Sequence, residues 1–209
     1  QNRLEVIGQP FGVLKNGKRT MRGFGVTSVE DPQPITTETV FPIASISKTF
    51  TTTAIMRLID QGKLELKAPV KTFLPDFKVQ DDTVTREVTI WNLVTHTPGW
   101  EGQISAQDRG LDSLNYYAAG MKDLPQISAP GTVWSYNNAG FSIAGRVIEA
   151  VTGTAINRAI RDLVFQPLGL EHAGTTAGEF IVQRFAAGHV TRSGTPTLQR
   201  PFVPSSSVT

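Results

Sequence analysis

Residues Phe41–Gly62 read FPIASISKTFTTTAIMRLIDQG, and this stretch decides the architecture. Ile46, Phe50, Ala54, Ile55, Leu58 and Ile59 recur at the i, i+3/i+4 spacing of a helix that buries one broad face. Pro42 suits its start and Gly62 its stop. Ser45 and Lys48 are three residues apart, so a helix puts them on one face within a turn. A serine hydroxyl is a weak nucleophile that needs a base beside it. A lysine serves as that base only where burial or another cation lowers its pKa. The first turn of a helix also offers backbone N–H groups to a developing oxyanion. With 12 serines and 8 lysines in 209 residues, S-x-x-K arises by chance about 0.5 times. A capped helix with a solvent-facing lysine is the commoner explanation of these four residues alone, so the other segments have to decide.

The chain is long enough for one large domain or two small ones. Twenty basic residues against 18 acidic ones leave a net charge of +2. No basic run interleaved with aromatics points to nucleic acid, despite a pI near 9.0. There is no cysteine, which excludes disulfides, thiolate metal sites and a cysteine nucleophile. No apolar run approaches the length of a membrane span. No cofactor is called for, and the three histidines lack the i, i+4 spacing of a metal hydrolase.

Outward from the central stretch, FGVLK at 11–15 and RTMRGFGV at 19–26 flank Asn16-Gly17, the strongest short hairpin signal. Gly23 and Gly25 resemble part of a dinucleotide fingerprint, but a third glycine and a following helix are missing. Residues 63–77 are interrupted by proline and hold no long element. Thr89 caps a short helix, IWNLVT, which runs into His96-Thr97-Pro98-Gly99-Trp100. Residues 101–110 read as a surface loop and Leu111 to Met121 as a helix. A clear helix starts at Asn138, with Ala139, Ile143, Val147 and Val151 on one face and Gly153 as its stop. Thr154 caps another, to Phe165, and 184–200 return to strand chemistry as a hairpin.

Tyr136-x-Asn138 is the second candidate, and with three tyrosines and seven asparagines Y-x-N arises by chance only about 0.1 times. A tyrosine beside a buried ammonium has a lowered pKa and serves as a proton shuttle. An asparagine amide two residues on both donates and accepts. The bland reading is a packing tyrosine with Asn138 as helix N-cap. Four blocks, FPIASISKTFTTTAIMRLIDQGKLEL, VTIWNLVTHTPGW, GTVWSYNNAGFSIAGRVIEAVTG and LVFQPLGLEHAG, together resemble the serine β-lactamase-related family, in order, over about Phe11 to Val190. That family includes class C β-lactamases, penicillin-binding-protein-like peptidases acting on D-amino acids, and esterases. The resemblance implies that Ser45 is the acylated nucleophile, Lys48 its basic partner, Tyr136 the general acid/base and Asn138 a substrate-orienting amide. Trp100 joins Asn138 as a substrate-binding expectation, and His96 is expected to hold its turn together. The implied setting is bacterial, periplasmic or secreted.

The expected fold is α/β with a helical lobe, β-lactamase/transpeptidase-like, with an incomplete sheet. Residues 1–62 would supply strands and the nucleophile helix, 63–183 the helical lobe, and 184–209 the return to the sheet. The family's third motif, Lys-Thr-Gly or His-x-Gly on an edge strand, would come later than this chain reaches. His172-Ala173-Gly174 matches by letters only, since it follows a helix. A further segment or second polypeptide is therefore expected to complete the sheet and add the second oxyanion donor. The Ser45 helix would need that fuller sheet to cover its apolar face. The expected activity is hydrolysis of an ester or amide through an acyl-enzyme. A binding or regulatory module that keeps the fold is the alternative. Ser142, in Gly140-Phe141-Ser142-Ile143-Ala144, is a poor rival nucleophile because the helical pattern places it a full turn inside.

Overall fold

The computed structural model describes residues 7–102, 113–180 and 182–199. Two compact units divide them. One is drawn from Gln1–Ile43 and Gly174–Pro204, the other from Ala44–Ala173.

The first unit is built on two antiparallel hairpins. β1 (Gly8–Lys15) pairs with β2 (Lys18–Gly25) in a register that closes at Lys15↔Lys18. Asn16 and Gly17 take φ of +50° and +75°, the left-handed pair that a two-residue turn needs to match strand twist. β3 (His189–Arg192) and β4 (Thr195–Leu198) repeat the device with Ser193 and Gly194 at +49° and +77°. Both hairpins stand where the turn signals predict them. A short helix, α8 (Ala177–Phe180), lies between them in sequence.

The second unit is helical. A 3₁₀ turn at Ala44–Ile46 leads into α1 (Ser47–Asp60). α2 (Val70–Phe73), α3 (Asp82–Glu87) and α4 (Ile90–Val94) follow as short pieces. Then come α5 (Ser113–Gly120), α6 (Asn138–Thr152) and α7 (Ile156–Ile160), the last continued by a π-helical turn over Arg161–Phe165. Thr89 caps α4 as expected, in a reciprocal box with Asn92. α6 is the central element, packed against α1, α2, α4, α5 and α7. Its residues from Ala139 to Gly145, with Val147 and Ile148, are all buried.

Four expectations need correction. The helix that follows Ser45 is not a uniform apolar face, for Ile46 is 59% exposed while Lys48 and Thr51 are buried with Ala54, Ile55 and Leu58. The buried part of that face is covered by helices, since α1 packs on α6, α7 and the π-helical turn. Thr154 does not cap the next helix; Ala155 holds the cap position, with no side-chain hydrogen bond. The helix expected from Leu111 is described from Ser113, and Leu111 lies outside the described residues, as does most of the 101–110 loop. Sequence reading groups α1 with the N-terminal strands, whereas its packing lies in the helical unit.

The first hairpin carries a contiguous part of the apolar surface left in solvent. Phe11 stands opposite Arg22 and Phe24 opposite Gln9, so both phenylalanines share one face, with Val13 beside them. All three are exposed, Phe24 to 61%. An uncovered apolar strand pair with open edges invites association. Sedimentation velocity of the 209-residue chain should therefore show concentration-dependent self-association. Phe11→Ser with Phe24→Ser should shift it to monomer, at a stability cost within about 0.5 kcal/mol. A chain that is monomeric without the substitutions would refute this.

Candidate active site

Ser45 sits in the 3₁₀ turn that precedes α1, with its side chain toward solvent. The residue before it, Ala44, has φ +45°, a left-handed conformation that a β-carbon disfavours. Such strain persists only where surrounding structure enforces it. Lys48, one turn on, is only 6% exposed, and its Nζ donates to Ser45 Oγ at 3.2 Å. The ammonium lies 4.9 Å from the centroid of the Tyr136 ring and 5.5 Å from that of Phe141. Among the described residues no carboxylate forms an ion pair with it. Two aromatic faces and a hydroxyl therefore stand in for a counter-ion, a contact worth roughly 0.5–2 kcal/mol.

Tyr136 comes from the loop that enters α6. Burial pushes its hydroxyl up, but hydrogen bonds with Lys48 and Ser45, and the Lys48 charge, outweigh that and bring it below the usual 10.0. The two sequence motifs, 91 positions apart between Ser45 and Tyr136, thus meet around the Lys48 ammonium. The Tyr136 ring is stacked on His96, centroids 4.6 Å apart. His96 also touches Phe141 at 5.0 Å and, edge-on, Trp134 at 5.8 Å. Burial and then the Lys48 charge hold the His96 pKa below 6.5.

The residue that sequence reading missed is Asn137. Its side chain is fully buried, and its Oδ1 accepts from Gly140 N at 2.7 Å and from Trp100 Nε1 at 3.1 Å. Its Nδ2 donates to the Trp100 carbonyl at 3.0 Å, and its backbone N–H donates to His96 Nδ1 at 2.9 Å. The cap of α6 is therefore Asn137 and not Asn138, which is the first helical residue and half-buried. The signal was present in the doubled asparagine of Tyr136-Asn137-Asn138, but pattern alone does not say which one turns inward. The Gly102 carbonyl takes the N–H groups of Asn138 and Ala139, so the opening donors of α6 are consumed internally. An oxyanion in this unit must look instead to the start of α1, whose cap position carries no side-chain hydrogen bond.

Trp100 does not have the expected role. It is 1% exposed and its indole N–H is spent on Asn137, so it presents no surface to a substrate. It is a wall of the core that sets Asn137, and through it the Tyr136 loop. Ser142 is wholly buried inside α6 and out of reach as a nucleophile. His172 lies in a turn after the π-helical segment and not on a strand.

Comparison with known proteins agrees with the family expected from the four sequence blocks. The Beta-lactamase family profile matches residues 1–207. Penicillin-binding protein 4 of Amycolatopsis lactamdurans is 38% identical over 191 residues, 91% of this chain and 50% of that protein. Esterase EstB of Burkholderia gladioli is 34% identical over 197 residues, 87% of this chain and 50% of that one. The octameric penicillin-binding protein homologue from Pyrococcus abyssi superposes with a TM-score of 0.84 at 26% identity, covering 98% of this chain and 49% of its own. A class C beta lactamase from Rhodobacter sphaeroides gives 0.76 at 27%, covering 98% and 56%. The chain spans about half the length of these relatives.

Asn137→Ala would leave the Trp100 indole, the Trp100 carbonyl and the Gly140 N–H without partners in a dry interior. Each such group costs about 1–3 kcal/mol, so a loss of roughly 3 kcal/mol or more is expected by urea denaturation. Asn138→Ala should cost about 1 kcal/mol or less. Equal losses at the two positions would contradict the assignment of the cap.

Proposed function

The chain belongs to the Beta-lactamase family, whose members are serine hydrolases, and from that premise we propose that Ser45, Lys48 and Tyr136 form one acylation centre. The observation that carries this reading is the approach of Lys48 Nζ to Ser45 Oγ, 3.2 Å, with the Tyr136 ring centroid 4.9 Å from the same ammonium. Because Oγ accepts from the ammonium, its own proton is free to point at the Tyr136 oxygen. Lys48 supplies the positive charge, and Tyr136, the group whose pKa is lowered, takes the proton.

Ser45 Oγ attacks the carbonyl carbon of an ester or amide as its proton passes to the Tyr136 phenolate. The carbonyl π pair moves to oxygen, and the backbone N–H of Ser45 at the head of α1 is the donor available to it. Collapse of the tetrahedral intermediate breaks the bond to the leaving alcohol or amine, which takes the proton from Tyr136. Water then attacks the Ser45 ester by the same route in reverse and releases the acid. Asn138, at the first position of α6, is assigned to orienting the substrate carbonyl. Carboxylic esters, β-lactams and D-amino-acid peptides all present the required acyl group. No helix among the described residues is long and apolar enough to cross a membrane. The exposed face of the first hairpin supports association with a further segment or a second chain.

Labelling with a fluorophosphonate or a penicillin, followed by peptide mass spectrometry, should place a single adduct within residues 41–57. An adduct on Ser142 would overturn the assignment, and no adduct on any serine would favour a binding module.

Ser45→Ala, Lys48→Ala and Tyr136→Phe should each lower turnover by about 10²–10⁴-fold, and double variants should be little worse than single ones. Since the phenolate is the active form and its pKa is lowered, kcat/KM should rise with pH and level off below 10. Lys48→Arg keeps a cation but cannot accept a proton. Residual turnover in Lys48→Arg well above that of Lys48→Ala supports Tyr136 as the base. Equal loss in both would transfer that role to Lys48.

A further inference from the structure

One residue grips three consecutive positions of the loop that carries Tyr136. The carbonyl of His96 accepts the Ser135 N–H at 2.9 Å, and its Nδ1 accepts the Asn137 N–H at 2.9 Å. Between them, its ring lies against the Tyr136 ring, 26° from parallel. His96 does this from a left-handed backbone, φ +60°, which side chains with a β-carbon avoid. A glycine would adopt that conformation freely, but it has neither the ring face nor the acceptor nitrogen.

We propose that His96 is a positioning residue that holds Tyr136 within reach of Ser45 and Lys48, and that only its neutral imidazole does so. The proposal rests on the reading of Tyr136 as the proton carrier. With Nδ1 accepting, the ring proton resides on Nε2. Protonation of Nδ1 would set one N–H against another and release Asn137. The groups facing the ring are Tyr136 and Phe141 from the α6 side, Trp134 edge-on, and the Lys48 ammonium from α1. Burial and the Lys48 cation both oppose an imidazolium, and no carboxylate is among the groups that face the ring. The clamp is therefore closed at neutral pH and opens in acid, below the ordinary histidine value of 6.5.

The test is nuclear magnetic resonance on the 209-residue chain carrying ¹³Cζ-tyrosine, with the Tyr136 signal assigned from Tyr136→Phe. It needs no turnover. His96→Phe keeps the stacked ring and removes the acceptor, while His96→Asn tolerates the left-handed backbone and removes the stack. Each should raise the Tyr136 midpoint towards 10, lowering its phenolate fraction at pH 8 about threefold. In the unsubstituted chain, the Tyr136 signal should also shift in acid together with the His96 imidazole resonance. That second measurement stands even if a variant fails to fold. Tyr136 behaving identically in His96→Phe and the parent, or showing no shift as His96 titrates, would overturn the proposal. A Tyr136 midpoint of 10 in the parent would instead sink the catalytic reading, while an acid shift tied to His96 would still establish the clamp.

Discussion

The buried amide of Asn137 is the contact on which the site depends. With its backbone N–H, Asn137 makes four hydrogen bonds to three separate pieces of chain: the turn that ends in Trp100, the first turn of α6 and the His96 ring. An amide with no exposure must satisfy its donors and acceptors inside the protein or forfeit their hydration. That requirement fixes the direction in which the chain enters α6. Tyr136, one residue earlier, inherits the direction. Gly140 completes the arrangement, since a β-carbon there would stand 3.3 Å from Asn137 Oδ1.

A second constraint is electrostatic. Lys48 is buried on the face of α1 that otherwise holds Ala54, Ile55 and Leu58. Removing an ammonium from water is expensive, and a carboxylate is the usual remedy. Here the neighbours are the Ser45 hydroxyl and the rings of Tyr136 and Phe141. A carboxylate partner would neutralise the field; these neighbours leave it directed at the Tyr136 hydroxyl and the serine. Burial raises the Tyr136 pKa, but hydrogen bonding with Lys48 and Ser45, and last the Lys48 charge, lower it below its ordinary value. The same field disfavours a charged His96, so one cation biases two titrating groups, toward phenolate in one and neutral imidazole in the other.

Backbone strain is concentrated at the same place. Among the described residues of the helical unit, the non-glycine residues with positive φ are Ala44 and His96. One precedes Ser45, and the other carries the ring stacked on Tyr136. A packed helical core around α6 supplies the rigidity that keeps both in disfavoured conformations. The exposed serine is thus carried by a strained turn, and its partners by buried scaffolding.

Local pattern determined much of this protein. Turn chemistry at Asn16-Gly17 and Ser193-Gly194 foretells both hairpins, because only a left-handed dipeptide closes a tight turn without splaying the strands. The 3.6-residue rhythm foretells α1 and α6, and the three-residue spacing of Ser45 and Lys48 foretells their contact. These features depend on neighbours in the chain, so the chain alone suffices to read them. Tertiary structure decided the rest. Whether Asn137 or Asn138 turns inward depends on Trp100, 37 positions away, and the removal of Trp100 from any substrate surface follows from the same bond. The face of α1 that pattern assigns to a sheet is covered by helices from residues 138–165, because packing selects whichever apolar surface is near. The tuning of Tyr136 belongs to this second class, since a pKa is set by the distance to a charge and by the water excluded around it, and neither is written in local sequence.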